Sequence, residues 1–349
     1  MKRLLYLSLC LLIAVSCGCG GDPDTPEIPD VPDAGAVFAK GADISWVTEM
    51  ESKGYKFYNA AGRQRECTEL LKELGANAVR LRVWVDPSGG WCGRDDVLAK
   101  AMRAKALGMK IMVDFHYSDS WADPSKQNVP AAWKGKDATA MAAAVKAHTQ
   151  EVLQALKSEG VDVAWVQVGN EVTGGMLWNT GKVSGTSMGQ FVSYFHAGRE
   201  GVKAVYPGAK VVLHLDNGWK METLNWFLTL AKSHSLNYDI LGLSLYPSYW
   251  ENGAYPDWQP KVKQFIANVP QLVKDYGKPV MLVEFGMPAS QPDKAKAALQ
   301  YIFDQTKGND SFLGVFYWEP EAEHERNGYD YGAFSGGKPT SALDPFATK

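Results

Sequence analysis

The chain has little cysteine, little histidine and no long apolar run beyond its first residues. Of its five cysteines, Cys10, Cys17 and Cys19 lie near the N-terminus, leaving only Cys67 and Cys92 further on. There is no CxxC pair, and no second histidine stands at metal-ligand spacing from His116. A Cys/His metal centre is therefore not a reading of this sequence. Cys67 and Cys92 would be able to pair in an oxidising compartment, and their spacing leaves both states open. Neither charge sign dominates: 36 Lys and Arg face 39 Asp and Glu, a formal charge of -3, with no basic run. That excludes the electrostatic footprint of a nucleic-acid binder. No GxGxxG follows any apolar run, which removes the dinucleotide-binding signature. Nothing in the residues asks for a cofactor.

What is present begins with a leader. Residues 1–17 carry Lys2 and Arg3 ahead of the apolar stretch Leu4–Val15, the form of a secretory signal and too short to span a bilayer. Its end, AVSC, resembles a lipobox in which Cys17 is the lipidated residue; Cys19 and plain signal cleavage are the alternatives. Residues 18–37 are rich in Pro and Asp and have no apolar period, so they read as an extended tether. The expected location is exported, on an outer membrane or cell surface, with the periplasmic face as the alternative. The only membrane contact expected is the lipid.

From residue 38 to 349, short apolar runs alternate with longer helical patterns. Candidate strands are 41–45, 77–84, 110–117, 163–170, 210–217, 239–247, 279–286 and 312–319, and helical stretches cover 63–75, 94–108, 138–160, 188–206 and 293–307. Gly75, Gly108 and Gly160 mark three helix-to-strand transitions. Repeated strand–helix alternation implies a parallel sheet, and eight units are the count of a single-domain (β/α)8 TIM barrel. An open doubly wound sheet is the alternative, without its glycine fingerprint.

A barrel places its chemistry at the C-terminal ends of the strands. Those ends read Asp43, Ser45 and Trp46; Arg80, Arg82 and Trp84; Asp114, His116, Asp119 and Trp121; Asn170 and Glu171; His214, Asp216, Asn217 and Trp219; Tyr246; Glu284; and Trp318 and Glu319. Two carboxylates on two strand ends, Glu171 in VQVGNEV and Glu284 in VMLVEFG, are what a glycosidase needs to protonate and attack one bond. Either could instead be a strand-end ion pair. Asn170 is positioned to bond a sugar 2-hydroxyl. Arg82 is expected beside Glu284, holding it ionised, with Arg80 as the rival on the same strand face. His116 binds hydroxyls or packs in the core, and Tyr246 donates to the nucleophile or packs. Trp318 would floor the subsite of the cleaved sugar. Trp84, Trp121, Trp178, Trp219 and Trp250 are groove or core residues.

On these strings the chain resembles the clan of (β/α)8 glycosidases with an Asn-Glu acid/base on strand four and a Glu nucleophile on strand seven. Within it the chain is similar to family 53, the endo-β-1,4-galactanases, through GADIS (41–45), VRLRVWVDP (79–87), FHYSDSWADPSKQNVPAAW (115–133), VGNEVTGGMLW (168–178), LHLDNG (213–218), SLYPSYW (244–250), VEFG (283–286) and FYWEP (316–320). The resemblance covers about residues 38–346. It implies Glu171 as acid/base and Glu284 as nucleophile of a retaining endo-hydrolase of β-1,4-galactan. It places Asn170, Arg82, His116, Tyr246 and Trp318 at the central subsite, with Asp43, Asp114 and Asp216 nearby. Asn217, Trp84 and Trp121 are further expected substrate contacts. Bacterial members often hold calcium in a long loop after strand seven. Here Gly286 is followed by MPASQPDKAKAAL, which enters a helix at once, so no metal is expected. A monomer is expected, with the polysaccharide as its partner. Two rival readings are a related β-glycanase acting on mannan, xylan or glucan, and an inactive glycan-binding surface lipoprotein.

Overall fold

The computed structural model describes residues 38–347. The leader, Cys17, Cys19 and the whole tether lie outside the described residues. Eight parallel strands close on themselves: β1 (Ala39–Asp43), β2 (Ala78–Val83), β3 (Lys110–Phe115), β4 (Trp165–Val168), β5 (Lys210–Leu215), β6 (Ile240–Leu245), β7 (Val280–Phe285) and β8 (Phe312–Tyr317). β1 pairs with both β2 and β8, which shuts the barrel. All eight expected strands are present, and each ends one or two residues before the expected end. There the chain leaves the sheet to form the polar loops.

One main helix follows each of the first seven strands: α1 (Cys67–Glu73), α2 (Arg94–Ala106), α3 (Ala138–Ser158), α4 (Phe191–Val205), α5 (Met221–Ser233), α6 (Gln259–Tyr276) and α7 (Pro292–Thr306); short helices at Val47–Ser52 and His324–Asn327 lie in the loops after β1 and β8. The side chain of Asp137 caps α3 by accepting from the Ala140 N–H at 2.8 Å, satisfying one of the unpaired donors of a helix start. In place of a long helix after β8, a 3-10 segment, Ser341–Ala347, packs on α7. Phe346 stacks on Phe303 with centroids 6.0 Å apart, and Asp344 pairs with Lys296 at 2.7 Å. Among the described residues no helix is long and apolar enough to cross a membrane. Cys67 and Cys92 are both buried and free, which settles the pairing question against a disulfide.

Two apolar layers form the core. Outside the barrel, strand residues such as Val79, Leu81, Val113 and Val166 meet the helices. Inside, Ala39, Ala78, Met112, Trp165, Val212, Met281 and Phe316 plug the lower end. Strand side chains alternate between faces, so the inward series continues upward from this plug. Ala78 leads to Arg80 and Arg82, Met112 to Asp114, Trp165 to Gln167, and Val212 to His214. The polar layer thus rests on an apolar floor. β7 departs from simple alternation: Leu243 of β6 pairs with Leu282, yet Ser244 pairs with Glu284. This bulge skips one residue and lets Glu284 follow Val283 on the inner side.

Candidate active site

Arg80 sits at the centre of the polar layer and is fully buried. Its Nη1 donates to Asp43 Oδ2 at 2.7 Å, and its Nη2 lies 2.9 Å from Asp114 Oδ2 and 2.9 Å from Glu284 Oε1. Nη2 also donates to Asn170 Oδ1 at 2.9 Å. A guanidinium fork is the side chain that can hold several acids at once. The expectation that Arg82 partners Glu284 is therefore corrected: Arg80, the rival on the same face, does so. Arg82 stands one step higher. It pairs with Glu319 at 2.8 Å, and its guanidinium carbon lies 4.2 Å from the Trp121 centroid and 5.1 Å from that of Trp84. It stiffens an aromatic wall rather than a carboxylate of the pair.

Glu284 is 5 % exposed and accepts from the Tyr246 hydroxyl at 2.9 Å. Gly286 makes this contact possible, since a Cβ there would stand 2.6 Å from the Tyr246 ring. Burial pushes Glu284 up to about 7, against the pull of Arg80 and the Tyr246 bond. Tyr246, itself buried beside a carboxylate, is held well above its ordinary value and stays a donor. Burial likewise works to raise Asp114, but Arg80 and His116 overcome it and hold it at about 2.

Glu171 follows β4 in a left-handed conformation, φ 46°, unusual for a residue with a Cβ. Tyr117, Asn217 and Glu319, beyond β3, β5 and β8, share that conformation. Such strain collects where a rigid scaffold aims functional groups. Ser244 Oγ donates to Glu171 Oε1 at 2.7 Å. His214 Nδ1 lies 2.8 Å from Gln167 Nε2 and 3.2 Å from the Glu171 N–H, both donors, so Nδ1 accepts and Nε2 carries the proton. Nε2 then donates to Ser244 Oγ at 2.7 Å. Burial, followed by the charge of Arg80, keeps His214 neutral, well below its ordinary value. Burial, then the charges of Glu284 and Asp216, push Glu171 well above the carboxylate range, with the Ser244 bond opposing. The two glutamates differ in their direct partners: Glu284 has the Arg80 ion pair, which favours its ionised form, and Glu171 has the Ser244 hydrogen bond.

A cavity of about 360 Å³ brings together His116, Trp121, Asn170, Glu171, Tyr246, Glu284 and Trp318 from the expected set. Tyr249, Tyr329 and Tyr331 also line it. Asp43, Asp114 and Arg82 stand behind this wall and hold it, as does Trp84, whose ring meets Trp121 at 5.2 Å. Asp216 is near enough to charge Glu171, and Asn217 donates to Asp216, yet neither lines the cavity. Trp178 and Trp219 are not in it either. His116 resolves its two readings as a bridge: Nε2 meets Asp114 at 3.1 Å and Nδ1 accepts from the Ala122 N–H at 3.1 Å. A larger hollow of about 470 Å³ beside Glu51, Tyr55, Arg65 and Glu69 contains neither glutamate of the pair. Its acids are engaged by Arg65 and Arg103.

Sequence reasoning missed Gln127, Gln167 and Ser244. Gln127, inside the SDSWADPSKQ segment, donates to the Asn170 carbonyl at 2.8 Å and straps that loop over β4. Gln167 and Ser244 carried a parity signal, each lying two residues before Gly169 or Tyr246 on an inward series.

The profile of glycosyl hydrolase family 53 matches residues 39–306. A protein of Aspergillus fumigatus named as a probable arabinogalactan endo-β-1,4-galactanase A is 33% identical over 305 residues, covering 80% of this chain and 83% of its own. A structure of a fungal β-1,4-galactanase superposes with a TM-score of 0.78 at 30% identity, covering 88% of this chain and 98% of that one. The catalytic domain of the Ignisphaera aggregans family 53 protein gives a TM-score of 0.76 at 28% identity, covering 90% and 97%. The chain belongs to glycosyl hydrolase family 53.

Proposed function

We propose that this protein is an endo-hydrolase of β-1,4-galactan, the pectic galactan of type I arabinogalactan, acting with retention of configuration. The observation that carries the reading is the division between two glutamates at one cavity: Glu284 ion-paired with Arg80 and bonded by Tyr246, Glu171 bonded by Ser244 and pushed above the ordinary carboxyl range by burial and by Glu284. Opposed environments separate a nucleophile from an acid. In this reading Glu284 attacks the anomeric carbon while Glu171 gives its proton to the departing glycosidic oxygen. A water then enters, Glu171 takes its proton, and the hydroxide equivalent displaces Glu284 from the anomeric carbon. Asn170 and Trp318 contact the cleaved sugar, and His116 and Trp121 line its surroundings. The galactan specificity is supported by the names of the related proteins.

Galactan digested by the purified protein should yield short galacto-oligosaccharides from internal cuts. Glu171→Gln should slow this by at least ~10²-fold, the usual scale for a lost general acid. Mannan, xylan or glucan cut in preference to galactan would overturn the substrate, and binding without products would overturn the activity.

The protein further reads as an exported monomer, anchored by a lipid on Cys17 and held off the membrane by the 18–37 tether. The leader composition supports the export and the lipid anchor. Radiolabelled fatty acid should enter the native chain and not a Cys17→Ala variant.

A further inference from the structure

Glu319 and Glu321, in the loop after β8, are fully buried, and the reaction proposed above uses neither. Glu319 has both oxygens engaged. Oε1 accepts from Arg82 Nη1 at 2.8 Å and Oε2 from the Trp46 N–H at 3.1 Å. Glu321 differs: neither of its carboxyl oxygens receives a hydrogen bond from a donor, and the group it meets is the Glu319 carboxylate. A buried carboxylate with no donor and no cation of its own is too costly to persist. A carboxylic acid fits the same place, because its O–H finds an acceptor in Glu319.

The surroundings hold one positive charge for two acids. Among the described residues the groups facing this pair are Arg82 of β2, Asp43 of β1, Cys67 of α1, Cys92 in the loop after β2, and Tyr329. Burial pushes both thiols and the Tyr329 hydroxyl up, so these three stay neutral, and Asp43 adds negative charge. Arg82 is already taken by Glu319. One proton on Glu321 is what the count requires.

Glu319 in turn holds the aromatic wall. The Arg82 guanidinium carbon lies 4.2 Å from the ring centroid of Trp121, 5.1 Å from that of Trp84, 5.5 Å from that of Trp46 and 6.0 Å from that of Trp318. Its Nε and Nη2 have no hydrogen-bond partner, so Glu319 is the contact that fixes where this cation stands among the four rings. Trp46, tied to Glu319 through its backbone, meets Trp121 at 5.5 Å and Trp318 at 5.4 Å. Trp121 and Trp318 line the cavity of Glu171 and Glu284.

We infer that Glu321 works as a protonated positioning residue: its O–H holds Glu319, and through Glu319 the Arg82–tryptophan wall, so that loss of this proton at alkaline pH loosens the wall and weakens sugar binding. The effect on sugar rests on the galactan-hydrolase reading above. The hold on the wall does not.

The test uses Glu321→Gln in the full chain, since the amide keeps an N–H donor for Glu319 and cannot ionise. Binding of β-1,4-galactotetraose is measured at pH 6 and pH 9 in a Glu171→Gln background, which stops turnover and removes the titration of the acid. With Glu321 present, Kd should rise between the two pH values by about fivefold more than with Glu321→Gln, the scale of one loosened aromatic contact. Glu284 titrates in both proteins and cancels in the comparison. The aromatic circular dichroism of the wild type, with no sugar added, should change over the same range while the far-ultraviolet signal stays constant, and Glu321→Gln should hold its aromatic signal. The same pH dependence in both proteins, or a wild-type aromatic signal unchanged to pH 9, overturns the inference. If galactotetraose does not bind, the galactan reading falls, and the circular dichroism still decides the role of Glu321.

Discussion

Replacing Ser244 by alanine deletes a single hydroxyl and should move the pH profile in a stated direction. Its Oγ donates to Glu171 Oε1 at 2.7 Å and accepts from His214 Nε2 at 2.7 Å. The bond favours the ionised form of Glu171 and so restrains an upward shift that burial and Glu284 drive. A hydrogen bond to a charged group is worth ~1.5–3 kcal/mol. One pKa unit corresponds to about 1.4 kcal/mol, so losing the bond should raise Glu171 by about one to two units. As the proposed acid, Glu171 must be protonated in the free enzyme, and kcat/KM falls on the alkaline side where it ionises. The alkaline limb should therefore move to higher pH by about one unit or more in Ser244→Ala. The water step, which needs Glu171 as a base, should slow below that limb and lower kcat. Ser244→Thr keeps the hydroxyl and should restore the limb. The variant also strands the His214 Nε2–H, at a cost of ~1–3 kcal/mol in unfolding free energy. Rates measured from pH 4 to 10 decide the matter. An alkaline limb that stays in place while activity falls would refute the role given to Ser244 and leave only a packing effect.

Other perturbations give equally directional outcomes. Gly286→Ala would drive a Cβ to 2.6 Å from the Tyr246 ring, so Tyr246 must leave Glu284; kcat should fall at least ~10-fold with the fold intact by circular dichroism, and unchanged kcat would argue against the Tyr246 contact mattering. Arg82→Met leaves Glu319 buried without its cation and should destabilise the fold by about 3–5 kcal/mol in urea unfolding; a loss under about 1 kcal/mol would contradict a buried, paired Arg82. Burial, then the charge of Glu319, pushes Glu321 well above the ordinary carboxyl value of 4.5, and burial raises Glu319 to about 7. The folded chain then holds protons that the unfolded chain has lost, so this pair's contribution to stability is fully present below pH ~4.5 and declines as pH rises toward and beyond 7. Glu321→Gln removes one such group, so its thermal midpoint relative to wild type should rise from pH 5 to pH 8. A constant or falling difference would contradict the shift.

The eight strands were legible because each is an apolar run closed by glycine, turn residues or a polar end. Their inward series were harder to see. Both faces of a barrel strand are buried, so hydrophobicity does not alternate, and only Arg80, Asp114, Gln167 and His214 betray the inner side. α5 carries Leu224, Phe227, Leu228 and Ala231 at helical spacing, a period open to reading. α6 is masked by an internal Pro270. Choosing between Arg80 and Arg82 was beyond parity, since both point inward. What separates them is height above the Met112–Trp165 floor, and height depends on strand stagger around the closed barrel. Glu284 faces inward through a bulge in β7, which no local pattern announces. The stack of Tyr249 on Tyr331, far along the chain, is a product of the closed fold alone.

The central claim is that Glu284 becomes covalently bonded to the glycone. The most direct test uses an activated 2-deoxy-2-fluoro β-1,4-galactobioside, whose fluorine slows release of the glycosyl-enzyme. Intact-mass and peptide mapping of the reacted protein should show one added fluoro-galactobiosyl group on the peptide carrying VMLVEFG, located at Glu284. An adduct on Glu171 or on another residue would contradict the assignment of roles. Turnover with no adduct and release of the inverted anomer would contradict the double displacement itself.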